Sequence, residues 1–147
     1  RIPPPHVEDE GGPVMIENTW IVAPADLDEL LELLERIRLV RLRTGGYRWR
    51  LYRDPSSPGT LTEVFECPSW EEHLAQHARI DDRSAELLRR ARRLDVRGDP
   101  TTSHLVAVDA SNPEDWDRLR VLHAEHHRTD GSIGELQQDA DLRGSSP

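Results

Sequence analysis

The stretch that decides the fold begins Tyr47-Arg48-Trp49-Arg50-Leu51-Tyr52-Arg53. It turns through Asp54-Pro55-Ser56-Ser57-Pro58-Gly59 and returns as Leu61-Thr62-Glu63-Val64-Phe65-Glu66-Cys67. It ends in Pro68-Ser69-Trp70-Glu71-Glu72-His73-Leu74-Ala75-Gln76-His77-Ala78-Arg79. In the first segment Tyr47, Trp49 and Leu51 alternate with Arg48, Arg50 and Tyr52, the period of a half-buried strand. The short Pro/Ser/Gly connection makes the next strand, Leu61 to Cys67, its hairpin partner. Ser69 with Glu72 three residues on is a capping box, so a helix begins at Trp70. Its apolar stripe carries Trp70, Leu74, His77 and Leu88, with His73 at the edge, and the pattern predicts a helix to about Leu94.

Upstream of this stretch, Val14, Ile16, Asn18, Trp20 and Val22 share one side of a strand, and Met15, Glu17, Thr19 and Ile21 the other. Asp26 is placed to cap a helix with a stripe of Leu27, Leu30, Leu31, Leu34 and Ile37, which Gly45-Gly46 ends. Downstream, His104 to Asp109 reads as a short strand with His104, Val106 and Val108 on one side. The order is β-α-β-β-α-β, the ferredoxin-like arrangement of one antiparallel sheet with helices on one face. The fold class is therefore α+β. The other sheet face is left bare, and a second copy placed face to face would cover it.

Residues 14–110 form this domain. Residues 1–13, Pro-rich and acidic, read as an extended linker to something upstream. Residues 111–147 read as an extra C-terminal helix, from Ser111-Asn112-Pro113-Glu114 through Trp116, Leu119, Leu122 and His123 to about His127. A polar tail follows, with the composition of a disordered segment.

The net charge of the 147 residues is -9, and all 19 basic residues are arginine. Acidity gathers at the ends, where 1–13 hold one Arg against three acids and 111–147 four Arg against eight. That balance excludes a nucleic-acid footprint. The lone Cys67 excludes an internal disulfide and fits a reducing compartment. No run reaches the roughly 20 apolar residues of a membrane span.

His73 and His77 stand four apart on a helix, a spacing that can place two imidazoles on one metal. No third ligand lies near them in sequence, and no metal site is expected. Cys67 reads as structural. Trp20, Trp49 and Trp70 either fill a core or wall a cleft whose polar groups are Asn18, His73, His77 and His104, and the residues alone leave both open. In a cleft, Asn18 would hold substrate oxygens and His77 or His104 would be the base. Arg48 and Arg50 are placed to pair with Glu63 or Glu66 on the neighbouring strand.

The segment from Pro13 to about Val108 resembles the soluble C-terminal domain of the transmembrane secretion effector family, major-facilitator-type exporters of actinobacteria and relatives. The resemblance is carried by Arg41-Leu42-Arg43-Thr44-Gly45-Gly46-Tyr47-Arg48-Trp49, Tyr52-Arg53-Asp54, Glu63-Val64-Phe65, the run from Ser69 to Arg79, and Ser103-His104-Leu105. That domain is in turn similar to the antibiotic biosynthesis monooxygenases, which dimerise through their sheets into an α+β barrel. Some of these act on aromatic polyketides without a cofactor; others degrade haem. The haem-degrading members use an Asn, a Trp and a later axial His. Asn18 and Trp70 match in kind, but His77 arrives too early for the third, so no cofactor is expected.

The resemblance implies a cytoplasmic domain tethered to the membrane-embedded transporter portion of the same polypeptide. It would form a homodimer and bind a small hydrophobic or aromatic ligand, without nucleic acid. The alternative is a cofactor-independent monooxygenase using Asn18, Trp70 and His77, with Trp20, Trp49, His73 and His104 around its pocket. A third class is a dimerisation module with a filled core.

Overall fold

The computed structural model describes residues 11–144, with side chains through residue 128. The linker expected at residues 1–13 thus falls mostly outside the described residues. The chain divides into two units, residues 1–107 and 108–147.

The first unit is an α+β fold of the ferredoxin-like type. Its elements are β1 (Val14–Ile21), α1 (Leu27–Thr44), β2 (Tyr47–Asp54), β3 (Ser57–Cys67), α2 (Trp70–Ala78), α3 (Asp82–Arg93) and β4 (Thr101–Val106). The four strands form one sheet in the order β2-β3-β1-β4, antiparallel throughout.

The inward side of β1 is the predicted one, with Val14, Ile16, Asn18 and Trp20 buried. Its partners in register repeat the pattern. Asn18 lies between Glu63 of β3 and Thr102 of β4, so a polar row crosses the sheet. Apolar clusters flank that row. On one side are Val14, Ile16, Phe65, Cys67 and Trp70; on the other Trp20, Leu61 and Val22 pack against Leu30, Leu34 and Ile37 of α1 and Leu88 and Ala91 of α3.

Several details depart from the sequence pattern. The helix predicted from Trp70 to Leu94 is two helices. Arg79 closes α2, and Asp81 opens α3 by accepting the Ser84 N–H at 2.7 Å. An Asp N-cap in mid-pattern ends one helix and starts the next. The break also redraws the inward stripe. Trp70, His73 and Gln76 are buried on α2, while Leu74 is 40% exposed and His77, more open to solvent than His73, sits at the edge of that face. In α1, Leu33 is buried and Leu31 faces out. Asp26 precedes α1, but its side chain makes no cap bond; a 3₁₀ turn at Pro24–Asp26 leads in.

The β2–β3 turn is tighter than predicted. Asp54 pairs with Ser57, and the Asp54 carboxylate accepts the Ser56 N–H at 2.9 Å. β4 lies earlier than the predicted His104–Asp109. Its register runs from Thr19↔Thr101 to Val14↔Val106, so the start of β1 fixes its end. A register shift in β2 follows Tyr47, where Arg48 takes φ 51°, and Tyr47 then pairs with outward-facing Glu66. The predicted partnership of Tyr47 with Trp49 and Leu51 on one face is broken by this bulge.

Two of the predicted helix ends hold, the glycine stop after α1 and the serine cap of α2. Gly45 closes α1 at φ 121°, a region that favours glycine. Ser69 accepts the Glu72 N–H at 3.1 Å, and the Glu72 carboxylate turns to Arg79 at 3.2 Å.

In the second unit α4 spans Pro113–Gly144, well past the expected end near His127. The expected disordered tail is helical in its backbone to residue 144. Residues 135–143 are mostly Glu, Leu, Gln, Ala and Arg, all good helix formers, and they outweigh the glycines at 131, 134 and 144. Among the described residues no helix is long and apolar enough to cross a membrane.

Candidate functional site

A cleft of about 990 Å³ opens between the inward face of the sheet and the helices α2 and α3. Its walls include Trp20, Phe65 and Trp70, and its floor is the polar row at Asn18 and Thr102. His73, His77 and His104 also line it. Apolar walls around a few convergent polar groups are the usual make-up of a small-molecule site.

The floor is held by a buried carboxylate that the sequence pattern paired wrongly. Glu63 is fully buried and accepts from Arg41 Nε at 3.1 Å, from Asn18 Nδ2 at 3.0 Å and from Trp49 Nε1 at 2.8 Å. Burial alone would raise its pKa. The Arg41 charge, with hydrogen bonds from Arg41, Trp49 and Asn18, more than offsets this and holds it below the usual carboxylate range. Of the strand arginines, Arg48 reaches Glu66 at 3.5 Å; Glu63 belongs to Arg41, from the helix above. The Arg41 guanidinium also lies over Phe65, 4.8 Å from the ring centroid.

This network engages two of the expected site residues. Trp49 is a partner of Glu63 and is not among the residues lining the cleft, so it is no pocket wall. Asn18 lines the floor with its amide already engaged: Nδ2 donates to Glu63, and Oδ1 accepts from Thr102 Oγ1 at 2.7 Å. One N–H and one lone pair remain to face a ligand.

The imidazoles form a directed chain. Gln76 Nε2 donates to the Arg41 carbonyl at 3.3 Å, which fixes the amide orientation and turns Oε1 toward His73 Nδ1, 3.2 Å away. Cys67 Sγ donates to the same Oε1 at 3.5 Å. An amide oxygen only accepts, so His73 carries its proton on Nδ1 and its Nε2 is an acceptor. His77 Nε2 lies 3.3 Å from His73 Nε2 and is therefore the donor. The lone pair of His77 is left on Nδ1. Burial, then the neighbouring His77, pushes the His73 pKa down to about 4. His77 is lowered too, by burial first and then by Arg41. Both are neutral at pH 7.

Trp70 stands edge-on to His104 at 5.1 Å and to His73 at 5.5 Å between centroids. Its Nε1 is buried and has no hydrogen-bond partner. Trp20 is tied by Nε1 to the Ala91 carbonyl at 3.3 Å. The structure thus brings Asn18, Trp20, Trp70, His73, His77 and His104 together around one cleft and leaves Trp49 outside it. Among the described residues no group of three or more His, Cys, Asp or Glu could hold a metal ion. Both nitrogens of His73 are spent on hydrogen bonds, which removes it as a ligand.

Residues 2–112 match the family model of the transmembrane secretion effectors. The chain belongs to that family. No curated protein matches it. Several solved structures similar to this secretion effector domain are of antibiotic biosynthesis monooxygenase candidates or an oxygenase. A candidate antibiotic biosynthesis monooxygenase of Caulobacter crescentus superposes with a TM-score of 0.58 at 17% identity, covering 67% of this chain and 92% of its own. A second candidate, from Chloroflexus aurantiacus, gives 0.53 at 16%, covering 69% and 98%. A variant of SnoaB, a cofactor-independent oxygenase of Streptomyces nogalater, gives 0.51 at 15%, covering 68% and 95%. At these identities the likeness is one of fold.

Proposed function

We propose that the sheet domain of this secretion effector binds a flat aromatic small molecule in the cleft and oxygenates it without a cofactor, as the SnoaB-type oxygenases of the same fold do. The observation that carries this is an imidazole at an aromatic-walled cleft whose tautomer is inferred from its hydrogen bonds. His77 Nδ1 holds a lone pair, and the chain through His73 and Gln76 keeps it there. A base of this kind removes a proton from a ring methylene acidified by a flanking carbonyl. The resulting carbanion reacts with O₂; the methylene becomes a carbonyl, one oxygen atom enters the product and the other leaves as water. Asn18, with one amide N–H left, is the donor for the developing oxyanion.

The test is oxygen uptake with a tricyclic hydroxyanthrone. The reading expects one O₂ consumed per quinone formed above the uncatalysed rate, and loss of that excess in His77→Ala. Uptake no faster than in buffer, or unchanged in His77→Ala, refutes it.

A second reading has the family match in its favour. Here the domain is an accessory part of an exporter, on the cytoplasmic side of a transporter portion in the same polypeptide. It presents cargo rather than transforming it. In either reading two copies associate through the open sheet face, where Met15, Val64 and Leu105 stand and Leu105 is 49% exposed. Light scattering that gives the mass of one chain would rule that association out.

A further inference from the structure

We infer that the molecule taken by the cleft carries a carboxylate, seated at Arg92 and Arg89 on the cleft mouth while its rings lie among Trp20, Phe65 and Trp70. The inference deepens the binding reading above and rests on it. The chain as a whole carries a net charge of -9. Its cleft is nevertheless lined by three arginines, Arg41, Arg89 and Arg92, against one acid, Asp99. Each arginine has a carboxylate near it, so what the cleft can offer an anion depends on how tightly each is held.

The three arginines differ in what they already hold. Both arms of Arg41 close on Glu63, so its charge is matched at the floor. Arg89 and Arg92 sit three residues apart on α3 and share a helix face. The Arg89 fork is braced by Glu86 of the same helix, with Nε at 2.9 Å and a terminal nitrogen at 2.8 Å. Arg92 meets Asp99 at 3.9 Å, beyond hydrogen-bond length, and its side chain is 49% exposed. A guanidinium offers five N–H donors in a planar fork that fits a carboxylate bidentately. Arg92 therefore has donors to give at the rim, where a ring system inside the cleft would place a carboxylate substituent. Arg92 and His77 both line this cleft. The anion seat and the proposed base thus belong to one cavity.

The probes are anthracene-9-carboxylate and its neutral isostere anthracene-9-carboxamide, titrated against the full chain by quenching of tryptophan fluorescence. The wild type should bind the acid about tenfold more tightly than the amide. Arg92→Gln should erase that preference by weakening the acid alone. Arg83→Gln, on α3 but away from the cleft lining, should leave it intact. A wild type that binds acid and amide alike, or an Arg92→Gln that weakens both equally, overturns the carboxylate inference and leaves the aromatic cleft standing. A wild type that binds neither overturns the binding reading itself.

Discussion

Replacing Glu63 by Gln tests the central claim about how the site is held. The change keeps shape and volume but puts an NH₂ where a charged oxygen stood. Arg41, whose side chain is 10% exposed, then faces a donor and keeps a buried charge without a counter-ion. Trp49 Nε1 and Asn18 Nδ2 compete for the one oxygen left. Removing one partner of a buried ion pair costs about 3–5 kcal/mol. For a domain of this size each kcal/mol moves the melting point by roughly 4–8 °C, so the variant should melt at least about 12 °C lower. Urea denaturation and a thermal melt by circular dichroism read this directly. The double variant Arg41→Met with Glu63→Leu removes both charges and should recover most of the loss, because a matched apolar pair carries no desolvation penalty. A loss below about 1 kcal/mol for Glu63→Gln, or a double variant weaker than the single one, would refute the account. Because folding lowers the Glu63 pKa, its contribution is fully present above the unfolded carboxylate value of about 4.3. It is lost only as the pH falls through the lower folded value.

Two further outcomes follow from the imidazole chain. Folding depresses the His73 pKa to about 4, so between pH 6.5 and 4 the unfolded chain takes up a proton that the folded one refuses. Stability should fall with acid across that window in wild type and fall less steeply in His73→Asn; parallel pH–melt curves for the two would contradict this. Gln76→Leu strips the acceptor from His73 Nδ1–H and the donor from the Arg41 carbonyl. It should cost about 1–3 kcal/mol per orphaned group. The imidazole ¹⁵N shifts of His73 and His77 should also change tautomer ratio; unchanged shifts would mean that the chain is not directed by Gln76.

The strands and the burial of β1 were legible because period-two alternation speaks directly about which face is covered. The capping serine and the glycine stop were legible for a similar reason, since each satisfies a local backbone need. Trp20, Trp70, His73, His77 and His104 could be nominated because bulky rings and imidazoles on inward positions are uncommon. The partner of Glu63 could not be read. It lies 22 residues away on another element, and a strand carboxylate beside Arg48 and Arg50 invites the nearer pairing. A polar residue on an inward strand position, directly opposite Asn18, was the signal that it needed a buried cation. The split of the long helix at Asp81 was hidden by continuous apolar spacing on both sides. Which histidine faces inward then hung on that split, because a nine-residue helix presents a narrower face than the 25-residue one expected.

The bulge at Arg48 lies on β2, an outer strand of the sheet with one row of backbone groups unpaired. Such rows recruit foreign strands and seed fibrils. Here the row is flanked by Arg48, Arg50, Arg53 and Asp54, and the local kink bends it out of register for a straight neighbour. Crowded together at high concentration, copies of this domain are steered away from stacking edge to edge. The charges along this outer strand act as gatekeepers of solubility.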